Sequence, residues 1–252
     1  MAVQVYFIGA GPGDTELLTI KAKNIIERAD VIIYADSLVS PEVCKFARDG
    51  AEIHKSASLS LEETTDIIVS AVKQGKTVAR LQSGDPAIYG AIREQMALLD
   101  EKGIEYQIIP GVSSLFAAAA SLKAELTVPE RAQTVIITRM DGRTPVPATE
   151  NLRSLAAHRA TMALFLSASL VEEVVSELIQ GGYDPGTPAA VVYRASWEDE
   201  LVIRTTLGDL SERVRESGIK KQALILVGKF LEHPGKGLRS KLYDKKFKHE
   251  YR

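Results

Sequence analysis

The chain has 252 residues, of which 45% are hydrophobic, so it can bury one large core or two smaller ones. Its 31 basic and 33 acidic residues leave a formal net charge of −2, so overall charge does not recruit nucleic acid. The single cysteine, Cys44, excludes an intramolecular disulfide and, with only four histidines, argues against a Cys/His metal cluster.

The first half of the chain alternates strand and helix patterns. Residues 3–9 form a short apolar strand with no basic n-region or cleavage site before it, so we expect no export. Apolar periodicity then predicts strands at 31–34, 77–81 and 105–109, and helices at 15–29, 41–49, 60–74 and 87–102. Continuous apolar strands between helices indicate a mostly parallel sheet covered on both faces.

The second half repeats this alternation less regularly. After an alanine-rich helix at 113–122, the pattern predicts strands at 134–138, 161–166 and 189–193, and helices at 150–156 and 169–180. EDELVIRTTLGDLSERV adds an alternating strand and a helix, and QALILVGKF adds a last strand, so we expect a mixed sheet.

The fold class is therefore α/β, with two α/β domains. We place the first domain at 1–112 and the second at 113–232, followed by a basic tail at 233–252 that is either solvated or binds the substrate or a partner. Apolar runs stay well below the roughly 18 residues of a membrane span, so we expect a cytoplasmic protein with no membrane partner.

The motif GAGPGD, residues 9–14, lies between a strand and a helix, where a dinucleotide-binding loop would sit. That fingerprint needs a third glycine where this chain has Asp14, whose carboxylate would cap the helix and repel a pyrophosphate. GKT at 75–77 lacks the first glycine of a phosphate-binding loop, because Ser70 stands there. The glycines instead predict close approach of backbone to an uncharged or cationic group.

A second motif, LQSGDPAIYG at 81–90, follows a strand end, where open α/β sheets bind ligands. Asp85 as cap and Pro86 as first helical residue are typical of a helix start, which accounts for both without a ligand. A turn does not require Ile88 and Tyr89, so these side chains predict a pocket at the strand end.

Five segments together resemble the tetrapyrrole methylase family over about residues 3–230: VYFIGAGPGDTELLTIKA, ADVIIYADSLVS, LQSGDPAIYG, IIPGVSSLFAAAA and PAAVVYRASWEDE. The resemblance implies the family's class III fold, which is not Rossmann-type and has a cofactor trough between two α/β domains, and it implies a homodimer. It also implies methyl transfer from S-adenosyl-L-methionine to a tetrapyrrole, with S-adenosyl-L-homocysteine as product. YADSLVSPEV and TRMDGRTPVP most resemble the members that methylate C-11 of precorrin-4 or cobalt-precorrin-4 in cobalamin biosynthesis.

The resemblance assigns roles to individual residues. It places the cofactor against residues of several loops, namely Pro12, Ser83, Gly84, Asp85, Ile88, Tyr89, Ser113, Ser114, Phe165, Leu166, Tyr193, Arg194 and Ala195. Asp36 and Lys55 resemble acid–base positions of relatives that methylate uroporphyrinogen, with a solvated loop charge as the alternative for each. Arg139 and Arg143, with Arg194, are candidates for the substrate's carboxylates, with an ordinary flexible loop as the alternative.

Two other functions remain open. The same fold and cofactor serve other substrates, namely uroporphyrinogen III, diphthamide or ribosomal RNA, and the RNA alternative requires a basic face that the balanced charge disfavours. A non-enzymatic tetrapyrrole carrier would bind its ligand without releasing demethylated cofactor. For the enzyme, in-line methyl transfer needs no metal ion, and positioning and exclusion of water would supply most of the acceleration.

Overall fold

The protein folds into two compact units. In this computed structural model the described residues are 3–142 and 144–232. The first unit combines Met1–Ala117 with Arg194–Asp199, and the second combines Ala118–Tyr193 with Glu200–Arg252. The basic tail at 233–252 lies outside the described residues.

The first unit is built on a five-stranded parallel sheet. Its strands are β1 (Val5–Gly9), β2 (Val31–Tyr34), β3 (Glu52–Lys55), β4 (Val78–Gln82) and β5 (Tyr106–Ile109). They lie in the order β3-β2-β4-β1-β5, and every neighbouring pair is parallel. This order differs from the 3-2-1-4-5-6 order of Rossmann domains. All five carboxyl ends therefore lie along one edge of the sheet.

Helices cover both faces of this sheet, as its apolar strands predict. They are α1 (Ile20–Ile26), α2 (Leu61–Lys73) and α3 (Arg93–Glu101). Side chains alternate along β1, so that Tyr6 and Ile8 pack in the cluster of α1, whereas Phe7 packs in the cluster of α2 and α3. Full burial of a side chain such as Phe7 contributes about 1.5 to 3 kcal/mol.

The second unit contains a mixed sheet. Its strands are β6 (Val135–Arg139), β7 (Thr161–Phe165), β8 (Pro188–Tyr193), β9 (Leu201–Thr206) and β10 (Ala223–Val227), in the order β6-β7-β10-β8-β9. Only β6 and β7 run parallel in this sheet. After α4 (Ser114–Ser121), which spans the division between the units, come α5 (Leu152–Ala156), α6 (Val171–Gln180) and α7 (Leu210–Ser217). These last three helices share one apolar cluster with the sheet.

Three helix predictions are too long. The predicted helix at 87–102 begins only at Arg93, because Tyr89 and Ala91 adopt left-handed backbone with φ of 54° and 48°, which a right-handed helix excludes. The predicted helices at 15–29 and 41–49 contain short 3-10 helices at Thr15–Leu17 and Pro41–Phe46, of which the first precedes α1.

The sequence also failed to predict β3. Three of its four side chains are exposed at the edge of the sheet, so it shows no apolar run. Within the ranges 3–142 and 144–232, no helix is both long and apolar enough to cross a bilayer.

Candidate active site

Three loops leave the carboxyl edge of the first sheet side by side. They follow the adjacent strands β4, β1 and β5 at residues 83–85, 10–14 and 110–113. The Gly84 N–H donates to the Gly11 carbonyl over 2.8 Å, and the Gly11 N–H donates to the Gly84 carbonyl over 3.3 Å. The first two loops are thus joined through their main chains.

Close approach of backbone explains two further glycines. A Cβ on Gly111 would lie 2.7 Å from Gly9 Cα and closer still to the Gly84 carbonyl oxygen. A Cβ on Gly9 would lie 2.5 Å from Gly111 N and 2.7 Å from the same oxygen. Backbone atoms of three strand ends cannot all yield, so only glycine fits at both positions.

Asp85 ties the β4 loop to the β5 loop. Its Oδ1 accepts from the Ala87 N–H over 2.8 Å, and its Oδ2 accepts from the Gly111 N–H over 2.9 Å. The prediction that Asp85 caps a helix starting at Pro86 is therefore wrong, since α3 starts later and its N-cap, Ile92, provides no side-chain hydrogen bond. The carboxylate instead satisfies backbone donors of two neighbouring loops.

The double role of Asp85 predicts the effect of an isosteric change. Asp85→Asn keeps one acceptor oxygen and loses the charge and the second acceptor, so we expect about tenfold weaker binding of S-adenosyl-L-homocysteine. Isothermal titration calorimetry measures this affinity. Asp184→Asn is the control, because Asp184 accepts from the Gly186 N–H over 2.7 Å in a turn of the second unit. Equal affinities of the two variants would contradict this role of Asp85.

The two serines at the start of α4 lie against the β4 loop. A Cβ built on Gly84 would lie 3.5 Å from both Ser113 Cα and Ser114 N. Ser113 is buried, and its Oγ accepts from the Leu115 N–H over 3.3 Å. Ser83 precedes Gly84 and is half-buried. These predicted cofactor residues therefore lie close together in the first unit.

Ile88 and Tyr89 belong to the turns that separate β4 from α3. Ile88 is half-buried, and Tyr89 is 45% exposed in its left-handed backbone conformation. The predicted packing of these two side chains near a cofactor remains a prediction.

The segment Arg194–Asp199 lies on the β1 loop, within the first unit. The Trp197 indole Nε1–H donates to the Pro12 carbonyl over 2.7 Å. The Asp14 N–H donates to Ser196 Oγ over 3.0 Å. The side chains of Ser196 and Trp197 therefore hold the main chain of the β1 loop at both ends of its Pro-Gly-Asp sequence.

Packing reinforces these hydrogen bonds. A Cβ on Gly13 would overlap the Trp197 ring, so the indole lies directly on the loop backbone. The Arg194 guanidinium stacks 4.6 Å from the indole centroid and pairs with Asp199 over 2.6 Å. Arg194 and Ser196 have φ of 47° and 69°, and such strain in non-glycine residues concentrates at functional sites.

The sequence pattern of this segment predicted no role for Trp197 or Ser196. The one available signal is that Trp197 is the only tryptophan of the chain. Ala195, a predicted cofactor residue of the same segment, is buried.

The other predicted cofactor residues lie in the second unit. Phe165 ends β7, and Leu166 follows it with φ of 53° and 67% of its surface exposed. Tyr193 ends β8. Because β7 and β8 both pair with β10, Phe165 and Tyr193 lie on either side of the start of β10, about 10 Å apart.

Asp36 and Lys55 lie at neighbouring strand ends of the first sheet. Lys55 is the last residue of β3 and pairs with Tyr34, two residues before Asp36. Asp36 Oδ1 accepts from the Ala57 N–H over 3.1 Å, and both predicted acid–base residues are exposed. In the described part of the chain, no three His, Cys, Asp or Glu side chains group as metal ligands do.

The arginines predicted to bind carboxylates have different surroundings. Arg139 donates from Nη1 to the Thr144 carbonyl and from Nη2 to the Pro145 carbonyl, each over 2.9 Å, so it organises its own loop. Arg143 lies outside the described residues. Arg194 is already paired with Asp199. Binding of substrate by these three remains a prediction.

Comparison with known proteins agrees with the motifs. A profile of the tetrapyrrole (corrin/porphyrin) methylases matches residues 4–211. A cobalt-precorrin-4 C(11)-methyltransferase of Methanocaldococcus jannaschii is 59% identical over 249 residues, which are 99% of this chain and 96% of that protein. A solved cobalt precorrin-4 methyltransferase superposes with a TM-score of 0.89 at 50% identity, covering 91% of this chain and 96% of the other.

A more distant structure was solved with a ligand. This uroporphyrin-III C-methyltransferase of Thermus thermophilus, complexed with S-adenyl homocysteine, has a TM-score of 0.76 at 27% identity and covers 90% of this chain and 98% of its own. The predicted class III fold and methyltransferase activity are confirmed by these relatives. The chain therefore belongs to the tetrapyrrole (corrin/porphyrin) methylase family.

Proposed function

We propose that this protein transfers a methyl group from S-adenosyl-L-methionine to C-11 of precorrin-4 or cobalt-precorrin-4, a step of cobalamin biosynthesis. The observation that carries the proposal is the 59% identity, along nearly the whole of both chains, with a relative that bears the name of this activity. As the resemblance implies, we further propose that it acts as a homodimer, and from the sequence features we propose that it is cytoplasmic.

The loops of the first unit fit the proposed cofactor. S-adenosyl-L-methionine supplies its methyl group from a sulfonium and carries no phosphate. Asp14, whose Oδ1 accepts from the Glu16 N–H over 2.8 Å as the cap of a 3-10 helix, would repel a pyrophosphate but not a cation. Gly9, Gly84 and Gly111 allow the main chains of three strand-end loops to approach closely, and such loops suit a ligand without phosphate.

The ring loses a proton after methyl transfer, and we assign Asp36 and Lys55 as the acid–base residues for that step. The carboxylate and the ammonium lie at adjacent strand ends, where one accepts and the other donates a proton or hydrogen bond. Asp36→Ala and Lys55→Ala should each lower kcat by about 100-fold, the lower range for general acid–base catalysis, while the Kd of S-adenosyl-L-homocysteine stays within about twofold.

Steady-state kinetics and calorimetry measure these two effects. Lys45→Ala is the matched control, because Lys45 pairs on the surface with Glu42. A variant of Asp36 or Lys55 that turns over at the wild-type rate would remove that residue from the mechanism.

The function is tested with three substrates in parallel. The purified protein is incubated with S-adenosyl-L-methionine and precorrin-4, cobalt-precorrin-4 or uroporphyrinogen III, and product mass and S-adenosyl-L-homocysteine are followed together. One methyl added to either precorrin-4 form supports the proposal. Methylation of uroporphyrinogen III alone would assign the protein to that substrate, and binding of a ring without release of demethylated cofactor would identify a carrier.

A further inference from the structure

A buried arginine lies in the middle of β4 without a carboxylate partner. Arg80 is 7% exposed, and none of the described Asp or Glu residues forms an ion pair with it. Burial lowers the pKa of the Arg80 guanidinium to about 10, so it still carries its charge at neutral pH. An isolated buried cation costs several kcal/mol, which stable folds ordinarily avoid by pairing.

The hydrogen bonds of Arg80 leave part of the guanidinium unused. Its Nε–H donates to Gln95 Oε1 over 3.0 Å, and Nη1 donates to Ser56 Oγ over 2.9 Å and to the Ile33 carbonyl over 3.5 Å. A guanidinium has five N–H donors, so the two on Nη2 have no acceptor among residues 3–142 and 144–232.

Gln82 adds a second unused donor on the same face of the sheet. It follows Arg80 by two positions in β4, so both side chains point to one face with Cα atoms about 7 Å apart. Gln82 is 6% exposed, and its Nε2 is enclosed without an acceptor in the described part of the protein. Buried polar groups without partners are rare and indicate a ligand or a functional role.

Gln82 ends β4 at the carboxyl edge of the sheet that carries the candidate active site, and Arg80 lies two residues before it. Ser56, which contacts Arg80, directly follows Lys55 at the end of β3. Gln82 directly precedes the β4 loop at Ser83. The arrangement offers one positive charge and several N–H donors, and no acidic side chain within residues 3–142 and 144–232 pairs with Arg80, which is what a carboxylate requires.

We propose that Arg80 and Gln82 bind one carboxylate of the acetate and propionate side chains of the tetrapyrrole substrate. The inference rests on the proposed function and adds a subsite to it. It is independent of the prediction for Arg139, Arg143 and Arg194, of which Arg139 already binds its own loop and Arg194 already pairs with Asp199. The substrate supplies the counter-charge that the fold omits, so binding compensates the cost of the buried cation.

Gln82→Glu separates this subsite from a structural role. The new carboxylate would pair with Arg80 and occupy the subsite from within the protein, so we expect the substrate KM to rise at least about tenfold. The melting temperature should stay the same or rise, because the buried cation gains a partner, and the Kd of S-adenosyl-L-homocysteine should not change. Arg80→Lys keeps the charge but loses the planar fork, and it should raise KM as well.

The control is Arg153→Gln, which removes an exposed arginine paired with Glu177 in the second unit and should leave KM unchanged. Wild-type kinetics measured in parallel test the proposed function separately. If the wild-type protein transfers no methyl group, the proposed function itself is contradicted. Given wild-type turnover, a Gln82→Glu variant with an unchanged KM overturns the inference. This result is decisive even where Arg80 variants fail to fold.

Discussion

Replacing Gly111 with alanine should abolish detectable binding of S-adenosyl-L-homocysteine and lower the melting temperature by roughly 6 to 12 °C. The added methyl would meet Gly9 Cα at 2.7 Å and the Gly84 carbonyl oxygen at a shorter distance, so three loops would have to separate. Overpacking of a rigid site typically costs about 1 to 3 kcal/mol. The upper end of this range applies here, because the opposing atoms are backbone and cannot move aside as a side chain can. The same movement would break the hydrogen bond from the Gly111 N–H to Asp85.

Gly208→Ala is the matched control for this prediction. A Cβ on Gly208 would meet its nearest neighbours, atoms of Pro185, at 3.4 Å, and its φ is not positive. Its melting temperature and cofactor affinity should therefore stay close to those of the wild type. Calorimetric titration and a thermal melt measure both variants, and wild-type affinity in Gly111→Ala would show that the three loops do not form the cofactor site.

Trp197→Ala should raise the Kd of S-adenosyl-L-homocysteine by about 10- to 100-fold. The change removes the hydrogen bond to the Pro12 carbonyl and the indole surface on Gly13, so the β1 loop loses the contacts that hold its conformation. The loop would then have to be ordered again by the ligand, at the expense of affinity. The fold of the first unit should persist, because Trp197 belongs to neither of the apolar clusters described above on the two faces of its sheet.

Two further variants separate the contributions of Trp197. Trp197→Phe keeps an aromatic ring on the loop and loses only the hydrogen bond, so its Kd should rise by about three- to tenfold. Tyr106→Phe is the control, since it removes an aromatic hydrogen bond to Asp100 at the amino end of β5. If Trp197→Ala binds S-adenosyl-L-homocysteine as the control does, the segment does not position the loop.

Much of the fold could be predicted from local pattern. Buried strands are continuous apolar runs, and four strands of the first unit and three of the second (β6, β7 and β8) were predicted to within two residues. The other two strands, β9 and β10, lie inside the segments that were predicted to contain them. The capping box of Ser60 and Glu63 marks the start of α2 equally clearly. The exception, β3, is an exposed edge strand whose burial pattern leaves no periodic signal.

The errors arise where tertiary contacts override local pattern. The composition of residues 86–92 suits a helix, but Asp85 is drawn to the Gly111 N–H in another loop, and the chain turns through left-handed residues before α3. Trp197 and Pro12 are 185 residues apart, and such a contact has no local signature. The N–H donors of Arg80 that lack an acceptor likewise cannot be predicted from sequence, because they depend on which acceptors the fold places around the side chain.

The position of the new methyl group tests the central proposal most directly. The protein is incubated with S-adenosyl-L-methionine labelled with ¹³C at the methyl group and with precorrin-4 or cobalt-precorrin-4, and the product is analysed by NMR. We expect one labelled methyl, bonded to C-11. A label on any other ring carbon, or no label in either ring while S-adenosyl-L-homocysteine still binds to the protein, would contradict the proposed activity.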